Sequence, residues 1–183
     1  MSRSFERIGL SILAALILVF AVFAVPGRGQ AEMVSPPPMT AAPLAQTPDE
    51  AQIRQLTAQW FAAWSPGRAS IDWDKMGQLF AQVPGELSVF DDAGGSVVVL
   101  NSWSEYRATW EPFMEQLSEW QIEPEGEIQV MLDGDLATTT FTLVGGGTNQ
   151  AGDSISFRQY GTHIWRRMGD RWALVHEHLT TDG

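Results

Sequence analysis

Residues 154–179 read SISFRQYGTHIWRRMGDRWALVHEHL and decide the fold of this chain. Two runs rich in β-branched and aromatic side chains, Ser154–Met168 and Arg171–Leu179, are separated only by Gly169-Asp170. A two-residue connection of this type joins antiparallel strands through a tight turn. The stretch therefore predicts a long β-hairpin at the end of the chain.

Two further strands precede this hairpin. Gln121–Leu132 and Asp135–Val144 have the same strand-like composition and are joined by Asp133-Gly134. A glycine-rich segment, residues 145–152, is predicted to be a loop that leads into Ser154. The second half of the chain is thus predicted to be a four-stranded antiparallel meander.

The first half carries helix signals. Thr47-Pro48-Asp49-Glu50 combines a capping threonine, a proline at the first helical position and a glutamate three residues after the cap. A second short helix is predicted at Asp72–Ala81, and Ser102 opens a third helix with a further capping box. Between them, Leu87–Asp91 and Ser96–Leu100 are predicted to pair as strands. Helices followed by a long meander are typical of an α+β fold with a curved sheet wrapped around the helices.

The N-terminus has the layout of a signal peptide. Arg3 and Arg7 precede an apolar run over residues 8–25, and Gly29-Gln30-Ala31 follows as a cleavage pattern with small residues at its first and last positions. We expect cleavage after Ala31 and a periplasmic or secreted protein; the alternative is an uncut membrane anchor, since the run is long enough to span a bilayer. Residues 32–46 are predicted to be a Pro/Ala-rich linker, and residues 47–183 a single domain.

The composition excludes several classes of function. There is no cysteine, so neither a disulfide nor a thiolate site exists. Asp and Glu total 22 against 11 Lys and Arg, a balance that disfavours binding to nucleic-acid phosphates. Eight tryptophans indicate a large aromatic interior or interface.

The order of the elements, Gly134-Asp135-Leu136-Ala137 at the start of a strand, and the ending 164–178 (IWRRMGDRWALVHEH) resemble the nuclear-transport-factor-2-like superfamily. Within it the chain is most similar to the SnoaL-like proteins and to the association domain of calcium/calmodulin-dependent kinase II. The resemblance implies a cone-shaped barrel in which three N-terminal helices close a pocket, and a homodimer formed through the outer sheet face.

The resemblance does not select one function. The superfamily includes a polyketide cyclase, ketosteroid isomerase, scytalone dehydratase, small-ligand binders and pure assembly domains. The leading prediction is an exported SnoaL-like protein that binds a small, partly apolar molecule, with or without cofactor-free acid/base catalysis of the isomerase, cyclase or dehydratase type. The competing prediction is a non-catalytic oligomerisation module. The arginines of the kinase association domain's pocket are missing: His163 and Leu179 stand at two of those positions.

His163 and Glu177 are the first candidate catalytic pair. On adjacent antiparallel strands they would act as a general base and its orienting carboxylate. The alternative is a structural hydrogen-bonded pair. If His163 faces the pocket, as the resemblance implies, strand alternation also turns inward a set of pocket candidates: Gln159, Gly161, Trp165 and Val175.

Asp91 and Tyr106 form a second candidate pair. Asp91 ends an apolar strand face, where desolvation would raise its pKa and suit it to move a proton. Ketosteroid isomerase uses an acid and a tyrosine in the same way, so the resemblance makes Asp91 with Tyr106 an analogue. The alternative is a turn-forming aspartate.

Two remaining features have structural alternatives. Trp60, Trp64 and Trp110 recur with Tyr106 at helical spacing and are expected either to line a pocket or to pack in the core. His176 and His178 share a strand face, but no third ligand is evident, and we predict no metal and no cofactor. The sequence does not decide which face of the sheet carries these two histidines.

Overall fold

The computed structural model of the protein describes residues 47–92 and 96–182. The predicted signal peptide (1–31) and linker (32–46) lie outside the described residues. The elements run in the order α1 Pro48–Ala63, α2 Trp73–Gly77, β1 Ser88–Asp91, β2 Val98–Leu100, α3 Trp103–Met114, β3 Leu117–Asp133, β4 Leu136–Asn149, β5 Ser154–Met168 and β6 Arg171–Thr181.

The six strands form one curved sheet in the order β2-β1-β6-β5-β4-β3. Every neighbouring pair is antiparallel except β1 and β6, which run parallel. The predicted α+β class and the four-stranded meander are confirmed. The predicted hairpin pairs Met168 with Arg171 across Gly169-Asp170, and Gly169 takes the positive φ of 70° that this turn requires.

The glycine-rich loop is the part of the meander that the sequence predicted wrongly. Gly145, Gly146 and Gly147 belong to β4 and pair with both β3 and β5. A Cβ at Gly147 would collide with the carbonyl oxygen of Glu119, and one at Gly146 with that of Ile155. The glycines therefore do not break the strand; they let the neighbouring strands approach closely.

The helices begin where the capping residues predict. The Thr47 hydroxyl accepts a hydrogen bond from the Glu50 backbone N–H at 3.2 Å, and Ser102 does the same for Glu105 at 3.2 Å. The second helix is shorter than the predicted Asp72–Ala81. It ends early because residues 79–81 pair with β6 through the backbone of Leu174.

The last strand contains a register shift that overturns the predicted alternation. Ile164 pairs with His176, but Trp165 pairs with Leu174, so Val175 is an extra residue. Leu174 therefore faces the opposite side from His176, although regular alternation would put residues two apart on the same face. Leu174 is fully buried, whereas His176 and His178 lie on the outer face beside Phe90, with ring centroids 6.0 and 6.1 Å away.

The helices cover the concave face of the sheet, and aromatic side chains fill most of the space between them. Trp60, Phe80, Tyr106 and Trp165 are at most 1% exposed. Among the described residues no helix combines the length and apolarity needed to cross a membrane.

Candidate functional site: an aromatic pocket and a closed polar cluster

A pocket of about 500 Å³ remains between the helices and the concave face of the sheet. We call it the aromatic pocket. Its aromatic walls are Trp60, Trp64, Trp110, Phe113, Trp120 and Phe157. Aliphatic side chains complete them: Ile122, Leu143, Ile155 and Leu179. The polar groups are confined to Asp91, Ser156, Gln159 and Thr181.

The aromatic rings of the pocket pack against one another mostly edge to face. Trp110 meets Trp64 at 82° and Phe113 at 78°, and Phe113 meets Trp120 at 90°. Trp120 and Phe157 stack with centroids 5.2 Å apart. Such contacts stabilise the arrangement of the rings beyond simple burial, so each wall of the pocket supports its neighbours.

A glycine shapes one of these walls. A Cβ at Gly145 would lie 2.5 Å from the ring of Phe157 and 2.7 Å from Ile122. Both side chains line the pocket and fold over the bare backbone of β4 at this point. A side chain at position 145 would displace them into the hollow.

The polar groups of the pocket form a connected corner. The Gln159 side-chain amide donates to Asp91 Oδ1 at 3.2 Å and contacts the Thr181 hydroxyl at 3.4 Å. Asp92 Oδ1 accepts from both the backbone N–H and the hydroxyl of Thr181, at 2.6 and 2.7 Å. The Gln159 amide on β5 therefore links the Asp91 carboxyl on β1 to Thr181 on β6, and Asp91 is only 6% exposed.

A second group of predicted site residues lies in the packed interior, where there is no room for a ligand. The closed polar cluster consists of Trp64, Tyr106, His163 and Glu177. The Trp64 indole N–H donates to the Tyr106 hydroxyl at 3.2 Å, and that hydroxyl donates to Glu177 Oε1 at 2.9 Å. Tyr106, His163 and Glu177 are all fully buried.

His163 and Glu177 face each other across β5 and β6, as predicted. His163 Nε2 lies 3.4 Å from Glu177 Oε2, but within the described part of the chain neither imidazole nitrogen has a partner in hydrogen-bonding geometry. Trp60 and Phe141 pack edge-on to the imidazole at 4.6 and 4.8 Å. Of these residues Trp60 also lines the aromatic pocket, whereas Phe141, His163 and Glu177 do not.

The closed polar cluster strongly perturbs its tyrosine. Burial raises the pKa of Tyr106 well above its ordinary value, and the negative charge of Glu177 raises it further. The hydrogen bond to Glu177 and the charge of Asp91 act in the same direction. Tyr106 is therefore an uncharged hydrogen-bond donor at neutral pH. Its hydroxyl donates to Glu177 and not to Asp91.

The structure divides the predicted site residues between these two places. Asp91, Trp60, Trp64, Trp110 and Gln159 line the aromatic pocket. Tyr106, His163 and Glu177 form the closed polar cluster with Trp64, which belongs to both. Trp165 and Val175 are buried without lining the pocket.

The sequence did not point to Trp120, Phe113 or Phe157 as pocket residues. Trp120 falls just before the predicted start of its strand at Gln121, because β3 begins at Leu117. Carrying the alternation back from Ile122 would have placed Trp120 on the inner face. The indole N–H groups of Trp60, Trp110 and Trp120 have no acceptor among the described residues.

Other parts of the surface are less suited to a ligand. A groove of about 660 Å³ lies on the far side of Trp120, but its walls carry Glu111, Glu115, Glu119 and Arg68 and are largely polar. On the outer face, desolvation and then the charge of His178 lower the pKa of His176. In the described ranges no three metal-ligating side chains come together.

The comparison with protein families identifies the chain. A SnoaL-like domain matches residues 53–180, which is most of the protein. The chain belongs to the SnoaL-like family of the nuclear-transport-factor-2-like superfamily, as its sequence predicted. No curated protein matches the chain.

Solved structures share the fold. A nuclear-transport-factor-2-like protein from Salmonella enterica has a TM-score of 0.61 at 14% identity, covering 73% of this chain and 90% of its own. A candidate dehydratase of the same family from Streptomyces avermitilis scores 0.59 at 20% identity, with coverage of 74% and 99%. The association domain of C. elegans calcium/calmodulin-dependent kinase II scores 0.53 at 17% identity, with coverage of 73% and 95%. At these identities the likeness shows the fold and not the activity.

Proposed function

We propose that this protein binds a small, partly apolar molecule in the aromatic pocket. The observation that carries the proposal is the pocket itself: about 500 Å³, walled by aromatic and aliphatic groups, with its polar groups gathered at Asp91 and Gln159. Ligand sites are typically concave, mostly apolar and roughly 300–1,000 Å³ in volume, with a few placed polar groups.

Any acid/base chemistry in this pocket falls to Asp91. It is the one ionisable side chain among the described residues that line the pocket, so a proton passing to or from a bound molecule would use its carboxyl group. His163 and Glu177 are fully buried and do not line the pocket, so neither would touch a molecule bound there. The fold shared with a candidate dehydratase is compatible with a dehydration reaction, and binding is the part of the proposal that the geometry supports best.

The test is a binding screen with a blocked pocket as its control. Phenyl-substituted alcohols, acids and amines are titrated by thermal shift and calorimetry against the native protein and against Leu143→Trp, which places an indole in the hollow. Leu136→Trp is the matched control, because Leu136 lies on the same strand but is 43% exposed. Binding lost in Leu143→Trp and kept in Leu136→Trp supports the proposal; the absence of any binder, or equal binding by both variants, contradicts it.

The outer face of the sheet favours a second role, as a homodimerisation surface. Phe90 and Val99 pair directly on β1 and β2 and are 38% and 50% exposed, and His176 and His178 flank Phe90. A cluster of exposed apolar groups marks an interaction site. Sedimentation tests this role: the native chain should run as a dimer and Phe90→Glu as a monomer, whereas a monomeric native protein would exclude it.

Export is proposed from the sequence of residues 1–31. If a signal peptidase cuts after Ala31, the mature protein begins at Glu32. Intact-mass measurement of protein recovered from the periplasm or the medium should give that N-terminus. Full-length protein in the membrane fraction would instead identify an uncut anchor.

A further inference from the structure

We propose that Gly145 sets the upper size limit of the ligand that the aromatic pocket accepts. The inference rests on the proposed binding function and concerns the same site. Gly145 does not line the pocket itself, so it is a positioning residue that acts through the side chains covering it. Three observations carry the proposal: a row of residues across the sheet, the space above the glycine, and the contacts of the ring that fills this space.

Gly145 is the middle of a row that crosses three strands. Ile122 on β3 and Phe157 on β5 are its direct partners in the register of the sheet. Residues directly opposite each other on neighbouring strands project from the same face of the sheet. Here that face bears the pocket, because Ile122 and Phe157 both line it. The glycine therefore leaves a gap in the floor of the pocket between two side chains.

The two neighbouring side chains fill this gap. A Cβ at position 145 would lie 2.5 Å from Cζ of Phe157 and 2.7 Å from Cγ2 of Ile122. Carbon atoms in contact are separated by about 3.5–4.0 Å, so both groups would have to move by about 1 Å. The backbone of the sheet lies beneath them, and the free space lies above them in the pocket. A side chain at position 145 would therefore lift both groups into the hollow and reduce its depth.

The two glycines that follow Gly145 have a different role. A Cβ at Gly146 or Gly147 would collide with the backbone carbonyl oxygen of Ile155 or of Glu119, and these oxygens cannot move without disturbing the pairing of the strands. At Gly145 the obstacles are the ends of two side chains, which can rotate about their own bonds. Position 145 can therefore accept a side chain while the sheet is retained, and the change is expressed in the pocket.

The ring of Phe157 couples position 145 to the other walls. It stacks on Trp120 with ring centroids 5.2 Å apart, and Trp120 meets Phe113 with centroids 6.0 Å apart. Phe113 belongs to α3, so these contacts run from the sheet to a helix. Closely packed side chains transmit a displacement to their neighbours. A lifted Phe157 ring would thus narrow the pocket on more than one side.

The test compares two uncharged probes that differ by one fused ring. The alcohols 2-phenylethanol and 2-(2-naphthyl)ethanol are titrated by calorimetry into the native protein, Gly145→Ala and Gly145→Val. In the native protein we expect the naphthyl alcohol to bind about ten-fold more tightly, because its second ring buries further apolar surface. This preference should fall in Gly145→Ala and be lost in Gly145→Val, while 2-phenylethanol keeps most of its affinity.

Two further variants separate the size of the pocket from a general disturbance of the sheet. Val144→Ile adds one methyl group to a residue that alternation places on the opposite face of β4 and that does not line the pocket, so it should keep the native preference. Gly145→Val combined with Phe157→Leu removes the ring that the new side chain displaces, so binding of the naphthyl alcohol should return. A simple loss of folding stability would not give this recovery.

The outcomes separate the two proposals. The role of Gly145 is overturned, and the binding function stands, if the native protein does not prefer the naphthyl alcohol, if Gly145→Val keeps the native preference, or if the double variant does not recover it. If Gly145→Val does not fold, Phe157→Leu alone decides: its preference for the naphthyl alcohol should exceed the native one, and an unchanged or smaller preference overturns the proposal. If neither these alcohols nor the compounds of the binding screen bind the native protein, the binding function itself fails.

Discussion

The aromatic pocket and the closed polar cluster occupy the same concave face of one sheet, yet one is hollow and the other is filled. Around His163 and Glu177 the helices contribute Trp60 and Tyr106, and the sheet contributes Phe141 and Trp165, so the interior is packed. Around Asp91 the rings of Trp110 and Trp120 form walls without meeting across the space. The same kinds of residue thus make a core at one place and a pocket at the other.

This difference shows that burial and accessibility must be argued separately. A buried polar group in a packed interior must be satisfied by its neighbours or it destabilises the fold. A polar group on the wall of a hollow can also meet a ligand. Tyr106 and Glu177 are of the first kind, because they hydrogen-bond to each other, and Asp91 and Gln159 are of the second.

The largest effect is expected from breaking the closed polar cluster. Glu177→Ala removes the acceptor of the Tyr106 hydroxyl and leaves a cavity, so the free energy of unfolding should fall by about 3 kcal/mol. Urea denaturation followed by tryptophan fluorescence measures this loss. Glu177→Gln keeps an acceptor for Tyr106 and should cost less than half as much; equal losses would show that the hydrogen bond does not matter.

An intermediate effect on the free energy of unfolding is expected from the ionisation of Tyr106 at alkaline pH. Its pKa is raised in the folded state, so the unfolded chain loses the proton first, near pH 10. The stability that this shift contributes is fully present below that pH and is lost as the pH rises toward the folded-state pKa, at up to about 1.4 kcal/mol per pH unit. Urea denaturation at a series of alkaline pH values should show this slope in the native protein and a smaller slope in Tyr106→Phe.

The same tyrosine can be observed directly. The chain has two tyrosines, so Tyr160→Phe leaves Tyr106 as the sole phenol. Its ultraviolet absorbance should show no tyrosinate in the folded protein until the chain unfolds. Tyrosinate absorbance from a folded chain near pH 10 would contradict the closed character of the cluster.

The smallest effect on stability is expected at the pocket. Asp91→Asn retains an oxygen that accepts from Gln159, and the site borders a hollow that tolerates rearrangement, so the change should stay within about 1 kcal/mol. Urea denaturation of this variant and of Glu177→Gln compares the two regions with the same carboxylate-to-amide change. If Asp91→Asn lowered the free energy of unfolding as much as Glu177→Ala, the aromatic pocket and the closed polar cluster would not differ in the way described.

The sequence predicted the fold well because its signals are local. The capping box at Thr47–Glu50 and the turn at Gly169-Asp170 act over a few residues and work as expected. The glycines at 145–147 were wrongly predicted to form a loop, because their role depends on how closely β3 and β5 approach β4. The extra residue at Val175 also depends on pairing between strands and leaves no mark on the sequence of β6.

Only part of the site could be predicted, because it too depends on contacts between distant segments. Strand alternation and the family resemblance nominated Asp91 and Gln159, and helical spacing offered Trp60, Trp64 and Trp110 as either pocket or core residues; all five line the pocket. They could not show that Trp60 and Phe141 close around His163, because packing between distant segments decides which space is filled. Trp120 was missed because it lies one residue before the predicted start of its strand at Gln121.

We expect a ligand to enter the aromatic pocket without reaching the closed polar cluster. The eight tryptophan indole N–H signals, assigned by single Trp→Phe variants, report on both regions in one nitrogen–proton NMR spectrum. On titration with 2-phenylethanol, the signals of Trp60, Trp110 and Trp120 should shift, while that of Trp165, which packs against His163, should stay in place. A shift confined to Trp165, or no shift at any indole, would contradict the account.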